Sequence, residues 1–289
     1  MKTNNLLKTN NLFFGFLLFL LIPIYSCSND DTKDEDLLVA KTMLNVSYGS
    51  SSQQVFDLYL PANRSSSTTK TLILVHGGGW TEGDKVDMNY AVDVIKQYLP
   101  NYAIANVNYR LATSGNYAFP MQIDDIGAII NKLKNDNNGI SDDFGLIGAS
   151  AGGHLSMLYG YGYNSDNNVK MVCSIVGPTN FTDPNYTNNQ AWLDLYLNIA
   201  GVEYASNIPY YEQLSPIFRA TSSSVPTIMF YGNADPLVPT SQGQDLHAKL
   251  DQLGVYNEFN LYNGGHGNWS QTDTLDAYAK LVAFVQNKF

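Results

Sequence analysis

Phe144-Gly145-Leu146-Ile147-Gly148-Ala149-Ser150-Ala151-Gly152 decides the fold: an apolar run ends in a serine set between glycines. The run reads as a buried strand, and Leu155, Met157, Leu158 and Tyr159 behind it suit a helix. A chain that turns from strand to helix within so few residues needs strained dihedrals and close packing, which glycine tolerates at least cost. Such a turn holds the Ser150 oxygen above a sheet, beside a helix N-terminus. A lone G-x-S-x-G is short enough to arise by chance, so its weight comes from what stands on either side.

Upstream, Thr71-Leu72-Ile73-Leu74-Val75 reads as a second buried strand and runs into His76-Gly77-Gly78-Gly79-Trp80. Consecutive glycines leave backbone N–H groups uncovered and free to converge on one point. Acyl transfer needs such donors, because negative charge develops on the carbonyl oxygen in the transition state. Gly78, Gly79 and Ala151 are the expected oxyanion-hole donors. Downstream, Pro226 to Tyr231 is strand-like and leads to Asp235 in a turn; Phe259 to Tyr262 is strand-like and leads to His266 among glycines. The chain order serine, acid, histidine is that of the α/β-hydrolase triad and differs from two other serine-hydrolase orders. Ser150 is therefore the expected nucleophile, His266 its base and Asp235 the acid that orients the imidazole.

The remaining pattern supports one α/β domain with a mostly parallel central sheet flanked by helices. Strands are expected near 55–60, 71–75, 103–108, 144–149, 169–176, 226–231 and 257–262. Helices are expected near 87–99, 121–135, 152–161, 241–253 and 273–288. Gln53 to Leu60 alternates as a half-exposed antiparallel edge strand should. The later strands are short apolar runs, as parallel strands covered on both faces should be. The site then falls at the carboxyl ends of the strands. A small aromatic and amide-rich insertion, Phe181 to Phe218, lies between two late strands and is expected over the active site. Trp80, Phe181, Tyr186 and Trp192 are candidates for contact with substrate, and Asp183, Asn185 and Asn188 for contact with sugar hydroxyls. Arg110 and Asp124 are expected to form a structural ion pair. His76 is expected to brace the glycine loop and His154 to be structural.

Asp57 to Pro61, His76 to Trp80 with Gly83, Asn108 to Leu111, Phe119-Pro120 with Asp124-Asp125, and Gly148 to His154 together resemble the α/β-hydrolase esterases related to hormone-sensitive lipase. The series is most similar to the bacterial feruloyl and acetyl-xylan esterase-like branch. The resemblance spans roughly Val46 to Phe289. It implies a cofactor-independent serine esterase acting through an acyl-serine intermediate, on acetyl or feruloyl groups of polysaccharides. The His-Gly-Gly-Gly-Trp stretch is also similar to that of kynurenine formamidases, so an N-formyl amide hydrolase is an alternative. A short-chain lipase is another. A non-catalytic glycan-binding surface lipoprotein is the rival from a different class. Residues 178 to 221 match no substrate signature of the family.

The first 26 residues read as a lipoprotein signal peptide: Lys2 and Lys8, an apolar stretch from Leu12 to Ile24, then Ser26 before Cys27. The stretch is short for a membrane span, which takes about 20 apolar residues. The Ser-Cys step resembles a bacterial lipoprotein processing box, which implies lipidation of Cys27. An acidic tether is expected over residues 27–45 and the esterase domain over 46–289. The expected location is the bacterial outer membrane or cell surface, reached by export. Only one other cysteine exists, Cys173, in an apolar strand, and no Cys/His spacing suggests a metal site. The formal charge is −10, and removing residues 1–26 takes away two lysines and no acid, leaving −12. So acidic a chain has no electrostatic reason to bind nucleic acid.

Overall fold

The computed structural model describes residues 37–289. The expected signal peptide, Cys27 and the acidic stretch as far as Asp36 lie outside the described residues. Eight strands form one sheet: β1 (Lys41–Ser47), β2 (Val55–Leu60), β3 (Thr71–Val75), β4 (Ala103–Val107), β5 (Phe144–Ala149), β6 (Val169–Ile175), β7 (Thr227–Gly232) and β8 (Asn257–Tyr262). Their order is β1-β2-β4-β3-β5-β6-β7-β8. β2 runs antiparallel to both β1 and β4, and every pairing from β4 to β8 is parallel.

The period-2 geometry of a strand splits its apolar residues between two cores. Ile73 and Val75 face one side with α2 (Met121–Asn135), α3 (Ala151–Gly162) and α5 (Thr240–Gln252). Leu72 and Leu74 face the other side with α1 (Asn89–Tyr98) and α6 (Gln271–Lys288). All five residues of β3 are buried, which is why the sequence shows no polar alternation there. The insertion between β6 and β7 carries α4 (Gln190–Ala200) among helices of one or two turns. It packs on the α2–α3–α5 side through Phe181, Tyr196 and Tyr211.

Two expectations change. The strand expected at the edge, β2, is interior, and β1 covers it. β1 starts at Lys41, inside the stretch expected as tether up to residue 45. Its pairing slips between Met43 and Val46, and these two are its only half-buried residues. The bulge breaks the alternation that would have betrayed the strand.

Candidate active site

β5 ends directly beneath Ser150, which takes φ 52° and ψ −118°. This is a conformation that non-glycine residues rarely adopt. Two backbone bonds fix it: Ser150 N–H donates to Ile175 O at 2.7 Å, and His154 N–H to Ser150 O at 3.0 Å. The elbow is tight because α3 presses on the neighbouring strand. A Cβ on Gly152 would lie 2.1 Å from Val75 O and 2.4 Å from His76 O. No larger residue fits there.

Ser150 Oγ lies 2.9 Å from His266 Nε2, and His266 Nδ1 lies 2.7 Å from Asp235 Oδ2. With Nδ1–H donating to the carboxylate, Nε2 is left to accept the serine proton. The Asp235 side chain has no exposed surface. Burial alone would favour its neutral form. The hydrogen bond from His266 and the N–H groups of Val238 and Leu237, at 3.0 and 2.8 Å, outweigh burial and hold the carboxyl below its usual range. The acid and histidine loops are stitched together. Ala234 N–H donates to Gly264 O and Gly264 N–H to Asn233 Oδ1, while Trp269 Nε1–H donates to Gly265 O within the histidine loop itself.

The glycine loop reaches the same point. A Cβ on Gly77 would come within 3.2 Å of Ser150 Cβ, and Gly79 lines one cleft with Ser150 and His266. Gly78 has φ 111°, and a Cβ there would meet Glu82 O at 2.0 Å. Among the described residues none accepts from the Gly78 or Gly79 N–H. Ala151 N–H opens α3, where a helix has no partner of its own to offer. Gly78 and Gly79 thus stand with free N–H groups in the loop that reaches Ser150, and Ala151 follows Ser150 directly.

Several groups hold the loop, and Gln122 among them lies in none of the motifs. Gln122 donates to Trp80 O at 2.7 Å and to Arg110 O at 2.9 Å. Tyr109 donates to His76 O at 2.9 Å and stacks on the His76 ring with centroids 4.2 Å apart. His76 lies with Nδ1 2.6 Å from Gly77 O, and burial lowers its pKa. Arg110 pairs with Asp125 at 2.6 Å, not with Asp124. Asp125 is fully buried and Asp124 is exposed, because the apolar phase of α2 turns 122, 126 and 129 inward and carries 125 with them.

The four substrate-contact candidates separate. Trp192 is half-buried in the cleft wall, and Trp80 reaches the same wall at 2 % exposure. Phe181 and Tyr186 have no exposed surface. Phe181 stacks on His154 with centroids 4.6 Å apart, and Tyr186 packs on Trp192 at 4.1 Å. They hold the insertion down and do not face a ligand. Asp183 is likewise spent internally, accepting from Asn185 N–H at 2.8 Å and Gln242 Nε2 at 2.7 Å. The cleft, about 370 Å³, is lined by Asn189, Leu195, Leu237 and Val238 besides the residues named. Asn189, Leu195 and Leu237 carried no signal of their own. His154 is buried and satisfied on both nitrogens, accepting from Trp80 Nε1–H at 3.3 Å and donating to Leu214 O at 2.7 Å. Cys173 is buried, and burial pushes its thiol pKa up.

Comparison with known proteins shows what the chain is similar to. A family model described as BD-FAE matches residues 56–250, more than half of the chain. Esterase LipC of Mycobacterium tuberculosis is 26 % identical over 246 residues, which are 77 % of this chain and 59 % of that protein. Arylacetamide deacetylase of Bos taurus is 27 % identical over 173 residues, 55 % of this chain and 41 % of that protein. The chain thus spans less than two thirds of either relative. The solved structure of a truncated carbohydrate esterase from gut microbiota shares the fold with a TM-score of 0.69. It is 20 % identical, over 86 % of this chain and 98 % of that one.

Proposed function

Because the chain belongs to the BD-FAE family of α/β-hydrolases, we propose that it is a serine carboxylic-ester hydrolase. The observation that carries this reading is the continuous relay from Asp235 through His266 to Ser150 Oγ beneath uncommitted glycine N–H groups. Ser150 Oγ attacks the ester carbonyl carbon while its proton passes to His266 Nε2. Gly78, Gly79 and Ala151 receive the oxyanion. The intermediate collapses with cleavage of the bond to the alcohol oxygen, which takes the proton from His266. Water then attacks the acyl-serine, giving its proton to His266. Release of the acid returns that proton to Ser150.

The finer reading is removal of acetyl or feruloyl groups from polysaccharide. Likeness to the gut carbohydrate esterase supports it, as does an open cleft with two indoles, Trp80 and Trp192, and Asn189 on its wall. Aromatic faces and amide groups are what sugar rings use. Export and lipid anchoring at Cys27 are part of the same proposal, supported by the sequence of residues 1–36. Acid release from acetylated xylan, feruloylated arabinoxylan and N-formylkynurenine, with Ser150→Ala as blank, tests it. Release from a polysaccharide is expected. Turnover of the formyl amide alone would overturn the ester assignment and keep the serine mechanism.

A further inference from the structure

Ser150 and His266 line two spaces, not one. Besides the open cleft there is a cavity of about 350 Å³ on the α1–α6 side of the sheet. Phe230 of β7 forms part of its floor. Tyr90 and Val94 of α1, Tyr278 and Leu281 of α6, and Trp269 of the histidine loop form its walls. We propose that this cavity receives the acyl half of the substrate, an apolar group larger than acetyl, while the cleft takes the alcohol; the proposal rests on the esterase reading above.

Three observations point the same way. First, Ser150 and His266 line both spaces, so each space is within reach of one substituent of a carbonyl carbon bonded by Ser150 Oγ. Second, the two walls differ in chemistry. The cavity is walled mainly by apolar groups, Phe230, Val94 and Leu281 among them, with Thr274, Tyr90 and Tyr278 as its few hydroxyl-bearing residues besides Ser150, so it suits an apolar chain better than a sugar rich in hydroxyls. The cleft, with Asn189 and Trp192, has partners to offer a sugar. A polymer also requires the open side, since only its terminal decoration can enter a space between two helices. Third, protein interiors are close-packed, yet this space beside the nucleophile is left unfilled. On its wall the Tyr90 and Tyr278 rings pack on each other nearly parallel, at 24° and 6.3 Å between centroids. Burial of a methylene is worth about fourfold in kcat/KM, so a volume of this size predicts a steep rise with acyl length from two to six carbons.

The test compares kcat/KM for p-nitrophenyl acetate, butyrate, hexanoate and cinnamate in the parent chain and two variants. Val94→Trp fills the cavity from a half-buried position on α1, and Leu195→Trp fills the cleft. The parent is expected to favour hexanoate over acetate by at least about tenfold, and Val94→Trp to reduce that ratio by about tenfold or more. Leu195→Trp is expected to leave the acyl ratio within about twofold and to lower turnover of esters with a bulky alcohol. Ala277→Leu, on the opposite wall, replaces Val94→Trp if thermal unfolding shows that variant misfolded. If Leu195→Trp moves the acyl ratio and Val94→Trp does not, the acyl group sits in the cleft and the assignment of the cavity is overturned. A parent that cleaves only acetate overturns it as well. A parent that cleaves no ester, or an active Ser150→Ala, overturns the esterase reading itself and is thereby distinguishable.

Discussion

At the scale of single residues, the relay assigns separable roles to three side chains. Ser150→Ala removes the bond-forming oxygen and is expected to lower kcat by at least about 10⁴-fold without changing the fold. Asp235→Asn keeps the shape but offers an amide N–H where His266 Nδ1 needs an acceptor. A fall of about 10⁴-fold in kcat, with KM little changed, is expected from steady-state kinetics. His154 carries a prediction of another kind. It is buried, and burial depresses its pKa to about 4, against a lesser opposing effect of its hydrogen bond to Leu214 O. Between pH 6.5 and that value the unfolded chain binds a proton that the folded chain refuses. Stability therefore falls as pH drops through this window, by about 3 kcal/mol in full. His154→Gln has no such proton to refuse. Its melting temperature should lie below the parent's at pH 7, because the stack on Phe181 is lost, but should vary less with pH down to about 4. Parallel curves for the two proteins would show that His154 is not the source of the acid sensitivity.

At the scale of elements, the strand–elbow–helix unit is the most constrained part of the molecule. Gly152→Ala would set a methyl carbon 2.1 Å from a carbonyl oxygen of β3, and neither backbone can yield without moving α3 off the sheet. Loss of folded protein, or a fall of about 10 °C or more in melting temperature, is expected. Gly254→Ala is the control. Its φ is +69° with nothing within 4 Å, so only the dihedral penalty applies, about 1–2 kcal/mol or a few degrees. The same unit explains what could be read from the sequence. β3 to β7 are largely apolar because both faces are covered, and Ser150 and Asp235 follow β5 and β7 while His266 follows β8, so motif order and strand pattern reinforced each other. β1 could not be read this way, since its bulge and its exposed face erase the alternation. The partner of Arg110 was within reach of helical phase, which puts Asp125 on the buried side of α2. Gln122, Tyr109 and Asn233 were not, because their work is done through partners 12 to 42 residues away. Phe181 and Tyr186 misled for the opposite reason: aromatic composition says that a segment is sticky, and only packing says to what.

At the scale of the whole molecule, every group in the relay, the glycine loop and the two spaces beside Ser150 lies within residues 37–289. A chain beginning at Leu37 is therefore expected to keep the parent's kcat/KM on a soluble ester and its melting temperature. Leu37 is the right place to cut, because its carbonyl accepts from Arg64 N–H at 3.2 Å. Cutting ten or so residues later should be far more costly. β1 covers the outer edge of β2, and Asn45 N–H donates to Asp57 Oδ1 at 2.8 Å. Asp57 in turn pairs with Lys85 at 2.8 Å, both side chains being about nine-tenths buried. Lys85 opens the single turn Lys85–Met88 that leads into α1, and its N–H and carbonyl are held by Asn108 and Asn106. Removal of residues 1–47 would bare the β2 edge, which invites pairing between molecules. It would also take a hydrogen bond from a buried ion pair that steadies the approach to α1, a wall of the cavity beside Ser150. Melting curves and light scattering on the two truncations decide the matter. A stable, monodisperse and fully active chain beginning at Tyr48 would mean that β1 is an ornament on the sheet and that the fold is complete without it.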